Sequence, residues 1–378
     1  MEKGTHVRMG MGITDANTAY LAWLGKRIPT IQKDLDDKHA EMAKKPFAFL
    51  RATFFRWAQV WPEFCPELTS APQVLGIGDL HIENFGTWRD LEGRLIWGMN
   101  DFDEAAVLPY CNDLVRLALS AELRKRKIPC SRAQICQSIL DGYRESLETG
   151  GGPFVVGREH VWLRTLARKK KNGDPVQYWK DLEDQDDITR KTPPEVLALL
   201  ESALPKNSTT TKIIHRQAGL GSLGRRRFTA LALWREANVA REAKELTVSA
   251  WRWYLQDPTT EIHYRTAVEK AVRVPDPFLK LHKHWVIRRL APDCSKLELG
   301  PSLDRNTARQ LLHAMGWETA NIHLGTKNAK TAILKDLRKR PRKWLNDAVQ
   351  RMASSVQKDW KTWRAYHDSK GPRRKESK

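Results

Sequence analysis

VLGIGDLHIENFGTWRDLEGRLIWGMNDFDE, residues 74–104, is the stretch on which the fold and the function turn. It alternates short apolar runs with polar loops. Val74, Leu75 and Ile77 form a first strand, ended by Gly76 and Gly78 around a bend. Residues 90–93 supply a turn, and residues 95–99 form a second strand. Paired as a hairpin, the two strands carry polar tips at neighbouring ends. One tip holds Asp79, His81 and Asn84, and the other holds Asp101, Asp103 and Glu104. Carboxylates and an amide oxygen on strand ends suit a hard cation such as Mg²⁺, which takes oxygen ligands and shares them with phosphate.

The surroundings of this stretch read as helical. Residues 13–61 carry Tyr20, Leu21, Trp23, Leu24 and Ile28 in helical spacing, with Thr14 or Asp15 as a cap, Pro29 as a break and a second helix over 31–42. Asp113 opens a further helix with Leu114, Leu117, Ala118 and Ala121 on one side, its carboxylate suited to a cap. Another helix covers 131–147 and stops at Gly150. LPKNSTTTK, residues 204–212, reads as an exposed linker and a domain boundary. The expected organisation is a helical lobe with the hairpin over 1–205, a sheet lobe over 206–300, a helical segment over 301–370 packing back on the first lobe, and a disordered basic tail over 371–378.

The sheet lobe has its own signature. AGLGSLG, residues 218–224, contains GxGxxG. A strand over 225–234 follows, then a turn at 236–238, then a strand over 239–246 with Lys244 inside it. No helix opens at the third glycine, so this is not the dinucleotide fingerprint. Strand, glycine loop, strand, turn and strand with lysine is a layout that covers phosphates with loop amides and holds them with an ammonium. Gly219, Gly221, Ser222, Gly224 and Lys244 are the candidate phosphate ligands. Glu261 or Glu269 is a candidate partner for Lys244. Residues 284–290 form a buried strand from which Arg288 or Arg289 either reaches the nucleotide or makes a salt bridge. A helix capped by Asp304 or Asn306 and an amphipathic basic region through Leu345, Val349, Met352, Val356, Trp360 and Trp363 complete the chain.

Composition bounds the class. With 378 residues the chain exceeds one typical domain, and at 41% hydrophobic it can bury a large core. Its 15 Trp read as filler between helices. Five cysteines, at 65, 111, 130, 136 and 294, form no CxxC and point to a reducing cytoplasm rather than a disulfide framework or zinc site. No run is long and apolar enough for a membrane span. The net charge is +20, and the last 52 residues hold 10 Lys and 7 Arg against 5 acidic residues, a net of +12. Such an extension attracts nucleic acid, an anionic surface or a phosphorylated substrate.

These motifs together resemble a known group. GDLHIEN, NDFDEA and DLVRLALS are similar to the HGDxHxxN, IDWEDA and DLA segments of aminoglycoside phosphotransferases and their choline- and homoserine-kinase-like relatives. The chain also resembles bacterial domain-of-unknown-function family 2252, with its GDxHxxNFG, NDFDE, WDxxRLxxS, GxGSxG and KEA elements. The resemblance implies an α+β, two-lobed, protein-kinase-like fold. It implies ATP and Mg²⁺, with Asp79 taking the acceptor proton, Asn84 and Asp101 on the metal with Asp103 assisting, and Lys244 on the phosphates. Asp113 would buttress the catalytic loop. The motif order is reversed relative to ordinary kinases, which implies a circular permutation. A separation beyond about 15 Å between Lys244 and Asp101 is incompatible with that, since a triphosphate and its metals span less.

The function expected is phosphoryl transfer from ATP to a hydroxyl, with a small-molecule acceptor favoured and a protein acceptor as the alternative. AMP transfer is a variant. Ile77 stands where the kinases have His, and the Lys-bearing strand VAREAK is unusually polar. Both departures fit a competing reading, an inactive nucleotide-binding protein or a nucleic-acid binder using the basic C-terminal region.

Overall fold

The computed structural model describes residues 10–168, 174–292 and 303–370; the expected tail over 371–378 lies outside them. Four helices open the chain: α1 (Ile13–Gly25), α2 (Gln32–Lys44), α3 (Pro46–Ala52) and α4 (Phe54–Phe64). Helix α1 buries Ile13, Ala16, Tyr20 and Leu24, spaced three and four apart. Thr14 and Asp15 sit inside its first turn, and the cap position is Gly12 with no side-chain cap.

Strands β1 (Gln73–Gly76), β2 (Phe85–Arg89), β3 (Leu95–Met99) and β4 (Ala106–Pro109) follow. The expected hairpin between residues 74–77 and 95–99 does not form. β1 pairs with β4, Val74 opposite Leu108, while β2 pairs with β3, Phe85 opposite Met99. The turn at residues 90–93 is real but joins β2 to β3; Asp90 closes it by accepting from Arg94 N at 2.8 Å. Between β1 and β2 the chain makes a buried loop with Leu80 and Ile82 fully packed. Both polar tips survive this change. Asn100 N donates to Asn84 O at 3.1 Å, so Asn84 and Asp101 stand at one end of the β2–β3 hairpin.

Helices α5 (Tyr110–Glu122) and α6 (Arg132–Thr149) come next, then β5 (Phe154–Val155) on the edge of β3, then α7 (Val161–Arg168), α8 (Pro175–Glu183) and α9 (Pro194–Ala203). Ser131 and Gln134 form a reciprocal capping box on α6, and Gly150 ends it in the left-handed region.

The second sheet is built from β6 (Thr209–His215), β7 (Arg227–Trp234), β8 (Ala237–Glu245), β9 (Lys280–His282) and β10 (Trp285–Leu290), in the order β6-β7-β8-β10-β9, all antiparallel. Arg235 and Glu236, both at positive φ, make the tight β7–β8 turn. The linker expected over 204–212 is half strand, because Thr209 already pairs with Leu233. One sheet face packs Ile213, Phe228, Ala243 and Ile287 on Val196 and Leu200 of α9. The other packs Ile214, Leu231 and Leu290 on Leu182 of α8. The sheet's core thus draws on residues on both sides of the expected boundary at 205. Short helices α10 (Ala250–Leu255) and α11 (Tyr264–Lys270) lie between β8 and β9.

The chain closes with α12 (Arg305–His323), α13 (Ala329–Lys339) and α14 (Trp344–Ser369). Asp304 caps α12 by accepting from Thr307 N at 2.9 Å. The stripe Leu345, Val349, Met352, Val356 and Trp363 of α14 is buried against the opening helices. Trp363 Nε1 donates to His39 O and Trp360 Nε1 to Ala43 O, both at 3.2 Å. The architecture is mixed α and β, with small antiparallel sheets in a mainly helical body. None of the described helices is long and apolar enough to cross a membrane.

Candidate active site

The loop between β1 and β2 is read by one stripe of α5. Asp113, Arg116 and Ser120 recur at helical spacing on its buried face. Asp113 accepts from Ile77 N at 2.7 Å and Gly78 N at 2.9 Å. It buttresses the loop instead of capping its own helix. Arg116 donates to Asp79 from both Nε, at 3.1 Å, and Nη2. Ser120 Oγ accepts from Ile82 N at 3.0 Å. Behind Asp113 stands His323, whose Nε2 lies 2.9 Å from the carboxylate and whose Nδ1 bonds Tyr143 Oη at 2.8 Å. Gly76 is glycine for a reason of space: a side chain there would meet Asp113 Oδ2 at 2.7 Å.

Asp79 is thereby held at a fixed point. Burial raises its carboxyl to about 6, although Arg116 pulls the other way. Asn84 Oδ1 accepts from His81 N at 3.1 Å and so braces the same loop.

The late segment folds onto the early one. Lys244 Nζ on β8 lies 2.6 Å from Asp103 Oδ2 and 3.3 Å from Asp101 Oδ1. These distances are far inside the ~15 Å bound set by a triphosphate with its metals. Asp103 is nearly closed to solvent, with its two carboxylate oxygens accepting no hydrogen bond of good geometry. Burial and the neighbouring Asp101 charge raise its pKa, against Lys244 and Arg225. Neither Glu261 nor Glu269 partners Lys244. Both are exposed, Glu261 beside His263 and Glu269 beside Arg265. The acidic partners come instead from the NDFDE loop, because β8 faces that loop and not α11.

The polar character of β8 has a structural cause. Glu242, fully buried, binds three guanidiniums: Arg227 at 2.8 Å, Arg288 at 2.7 Å and Arg216 at 2.9 Å. Burial alone would raise its carboxyl, but the three cations hold it well below the usual carboxylate range. Cross-strand register explains the cluster, since Glu242 sits opposite Arg288 on β10. Arg288 was expected here; Arg216 and Arg227 were not. The cluster carries two positive charges beyond the carboxylate it neutralises.

The Gly loop spans the gap. Leu220–Ser222 forms one tight turn. Gly219 and Gly224 adopt positive φ, which suits glycine. Arg227 Nη2 donates to Ala218 O at 2.8 Å and to Ser222 Oγ at 3.1 Å. A side chain on Gly221 would stand 3.0 Å from Asp79 Oδ2. Two spaces adjoin there. A cleft of about 900 Å³ is lined by Gly219, Asp101, Arg216, Arg227, Arg273, Arg288 and Leu290. A chamber of about 30 Å³ lies deeper, lined by Asp79, Asn84, Asp101, Asp103, Gly221 and Ser222. The cleft has the size of a cofactor site.

The donor set fits a shared hard cation and not a closed cage. Asp101, Asp103 and Asn84 all line the chamber, Asn84 Oδ1 also accepting from His81 N. Lys244 already places a positive charge between the two carboxylates. Among the described residues no cluster of three or more His, Cys, Asp or Glu forms a metal site by itself. Mg²⁺ sites completed by phosphates use only one or two carboxylates.

The sequence over residues 30–158 and 186–366 matches the family model described as "Uncharacterized protein conserved in bacteria (DUF2252)". This chain belongs to that family. The matched residues include both DUF2252 segments that meet here, the loop at Asp79 to Asp103 and the Gly loop with Lys244. No curated protein matches the chain, and no solved structure does.

Sequence reasoning missed Arg116, Glu242, Arg216, Arg227 and Arg225. Arg116 had a visible signal, a charge in step with Asp113 on an otherwise apolar helix face. Arg225, which donates to Glu104 at 2.6 Å, had none, because its partner lies 121 residues away.

Proposed function

We propose that this DUF2252 protein is an ATP- and Mg²⁺-dependent phosphotransferase with a kinase-like site assembled in permuted order. The observation that carries the reading is the contact of Lys244, from the late sheet, with Asp101 and Asp103 of the early acidic loop. A nucleotide lies in the cleft, its phosphates toward the Gly219–Gly224 amides, Lys244 and the Arg216, Arg227 and Arg288 cluster. Asn84, Asp101 and Asp103 would hold the metal, which would offset charge on the phosphates. Asp79 orients the acceptor hydroxyl and takes its proton, the hydroxyl oxygen bonds to the terminal phosphorus, and the bond to the nucleoside diphosphate oxygen breaks.

Buried carboxylates shared by lysine and arginine rarely add net stability. Their concentration at a cleft is the pattern of a working site. The acceptor is a small-molecule hydroxyl in this reading, with a protein hydroxyl as the alternative. Transfer of AMP uses the same residues and releases pyrophosphate in place of the diphosphate.

One observation favours a second, inactive reading: Arg116 occupies Asp79 and the chamber admits little more than water. Mg²⁺-dependent ATP consumption separates the two. Consumption lost in Asp79→Ala and Asp101→Ala supports the enzyme. ATP binding without consumption, or salt-sensitive nucleic-acid binding through the basic C-terminal region unaffected by Asp79→Ala, supports the alternative.

A further inference from the structure

Helix α2 and the residues before it grip the Gly loop from its far side. Ile31 N donates to Gly224 O at 2.9 Å, and Thr30 bridges Arg225. Leu35 fills the place of a Gly224 side chain, whose Cβ would stand 2.3 Å from it. Asp34 accepts from His215 Nε2 and Gln217 Nε2, each at 2.8 Å, at the loop's N-terminal flank. At the crest, Lys38 Nζ donates to Gly221 O at 2.8 Å.

Lys38 is 7% exposed and lines the same chamber as Asp79, Asn84, Asp101 and Asp103. An ammonium carries three donors, and one carbonyl satisfies one of them. Burial, with the Arg225 charge beside it, lowers this ammonium to about 8. The chamber, at about 30 Å³, holds about two waters and no phosphoryl group. Gly221 lines it hard against Asp79: a Cβ there would stand 3.0 Å from Asp79 Oδ2 and 3.0 Å from Arg51 O. A phosphate that reaches Asp79 therefore displaces Gly221 and the carbonyl that Gly221 lends to Lys38.

We propose that Lys38 is a phosphate-binding residue outside every motif: on entry of a nucleoside triphosphate its ammonium exchanges the Gly221 carbonyl for the terminal phosphate. The inference rests on the phosphotransferase reading above. It adds a cation from α2 to those of the sheet, and it couples lifting of the Gly loop to capture of the phosphate that is transferred. A diphosphate lacks the group that Lys38 binds and leaves the loop seated.

The test is calorimetric titration of the full chain with Mg·ATP and Mg·ADP, for the wild type, Lys38→Gln and Lys38→Arg. Gln keeps a donor for Gly221 and removes the charge. Lys38→Gln is expected to lose about tenfold or more in ATP affinity, the value of one charge-assisted hydrogen bond, and to bind ADP within about twofold of wild type. Lys38→Arg should recover part of the ATP affinity. An equal fall for both nucleotides, or no change, makes Lys38 a prop for the loop and overturns the inference. Should Lys38→Gln not fold, acylation of Lys38 in the wild type by an amine reagent decides: Mg·ATP should slow it and Mg·ADP should not, and equal rates overturn the inference. A wild type that binds neither nucleotide overturns the phosphotransferase reading itself, a different outcome from binding that ignores Lys38.

Discussion

Asp79 stands under two opposed influences, burial that favours its proton and Arg116 that favours its charge. Burial wins, and the carboxyl titrates near 6. A general base works only when ionised. Turnover should therefore be low under pH 5, rise through about pH 6 and level off above it. Asp79→Asn should remove that limb and lower the rate by about 10²–10⁴-fold. Arg116→Gln should move the limb to higher pH, because the one charge that lowers the Asp79 pKa by contact is gone. It should also cost about 3–5 kcal/mol of stability, read by denaturant unfolding, since a buried carboxylate loses its partner. A pH–rate profile flat between 5 and 8 would rule out Asp79 as the base. That Asp79, Asn84 and Asp101 come together was legible in the sequence, because their spacing along one strand–loop–strand segment is local. Arg288 was named too, but Glu242, Arg216 and Arg227 were not, because contacts across 15 and 26 residues bring them together.

At the scale of elements, the long amphipathic helices were legible and the pairing of short strands was not. Four-residue strands such as β1 carry too little pattern to name a partner, and β4, AVLP, gave no strand signal at all. The crossing of α6 and α12 was equally hidden, although two glycines mark it. A side chain on Gly142 would meet His313 O at 1.9 Å, and one on Gly316 would meet Ile139 O at 2.1 Å. Both obstacles are backbone and cannot swing aside. Gly316→Ala gains helix propensity of about 1 kcal/mol, yet overpacking of this kind costs about 1–3 kcal/mol or more. The expected net result is a loss of stability in urea unfolding. Gly25→Ala at the end of α1, with nothing within 4 Å, is the control and should change little or stabilise. Equal effects at the two positions would contradict the close crossing. Since α12 also carries His323, a wider crossing should loosen Asp113 and reduce turnover as well.

For the whole molecule, chain order and spatial order differ. The acidic loop comes early and the Gly loop with Lys244 comes more than a hundred residues later, yet Asp101 and Gly219 line one cleft and Lys244 pairs with Asp101. Helix α14 packs under α2 through Trp360 and Trp363. Its apolar stripe was legible from spacing; its position beneath the helix that holds the Gly loop was not, because periodicity gives a buried face and not the neighbour.

The most direct measurement is a Mg²⁺-dependent thermal shift with ATP on the wild type, Asp101→Ala and Lys244→Met. The wild type should gain several degrees when Mg²⁺ and ATP are both present, as about 2.7 kcal/mol of linkage at 100 times Kd requires. Each variant, one from the early segment and one from the late, should lose that gain while remaining folded. A wild type with no shift, or a shift that survives in either variant, would contradict a single nucleotide site built from both segments.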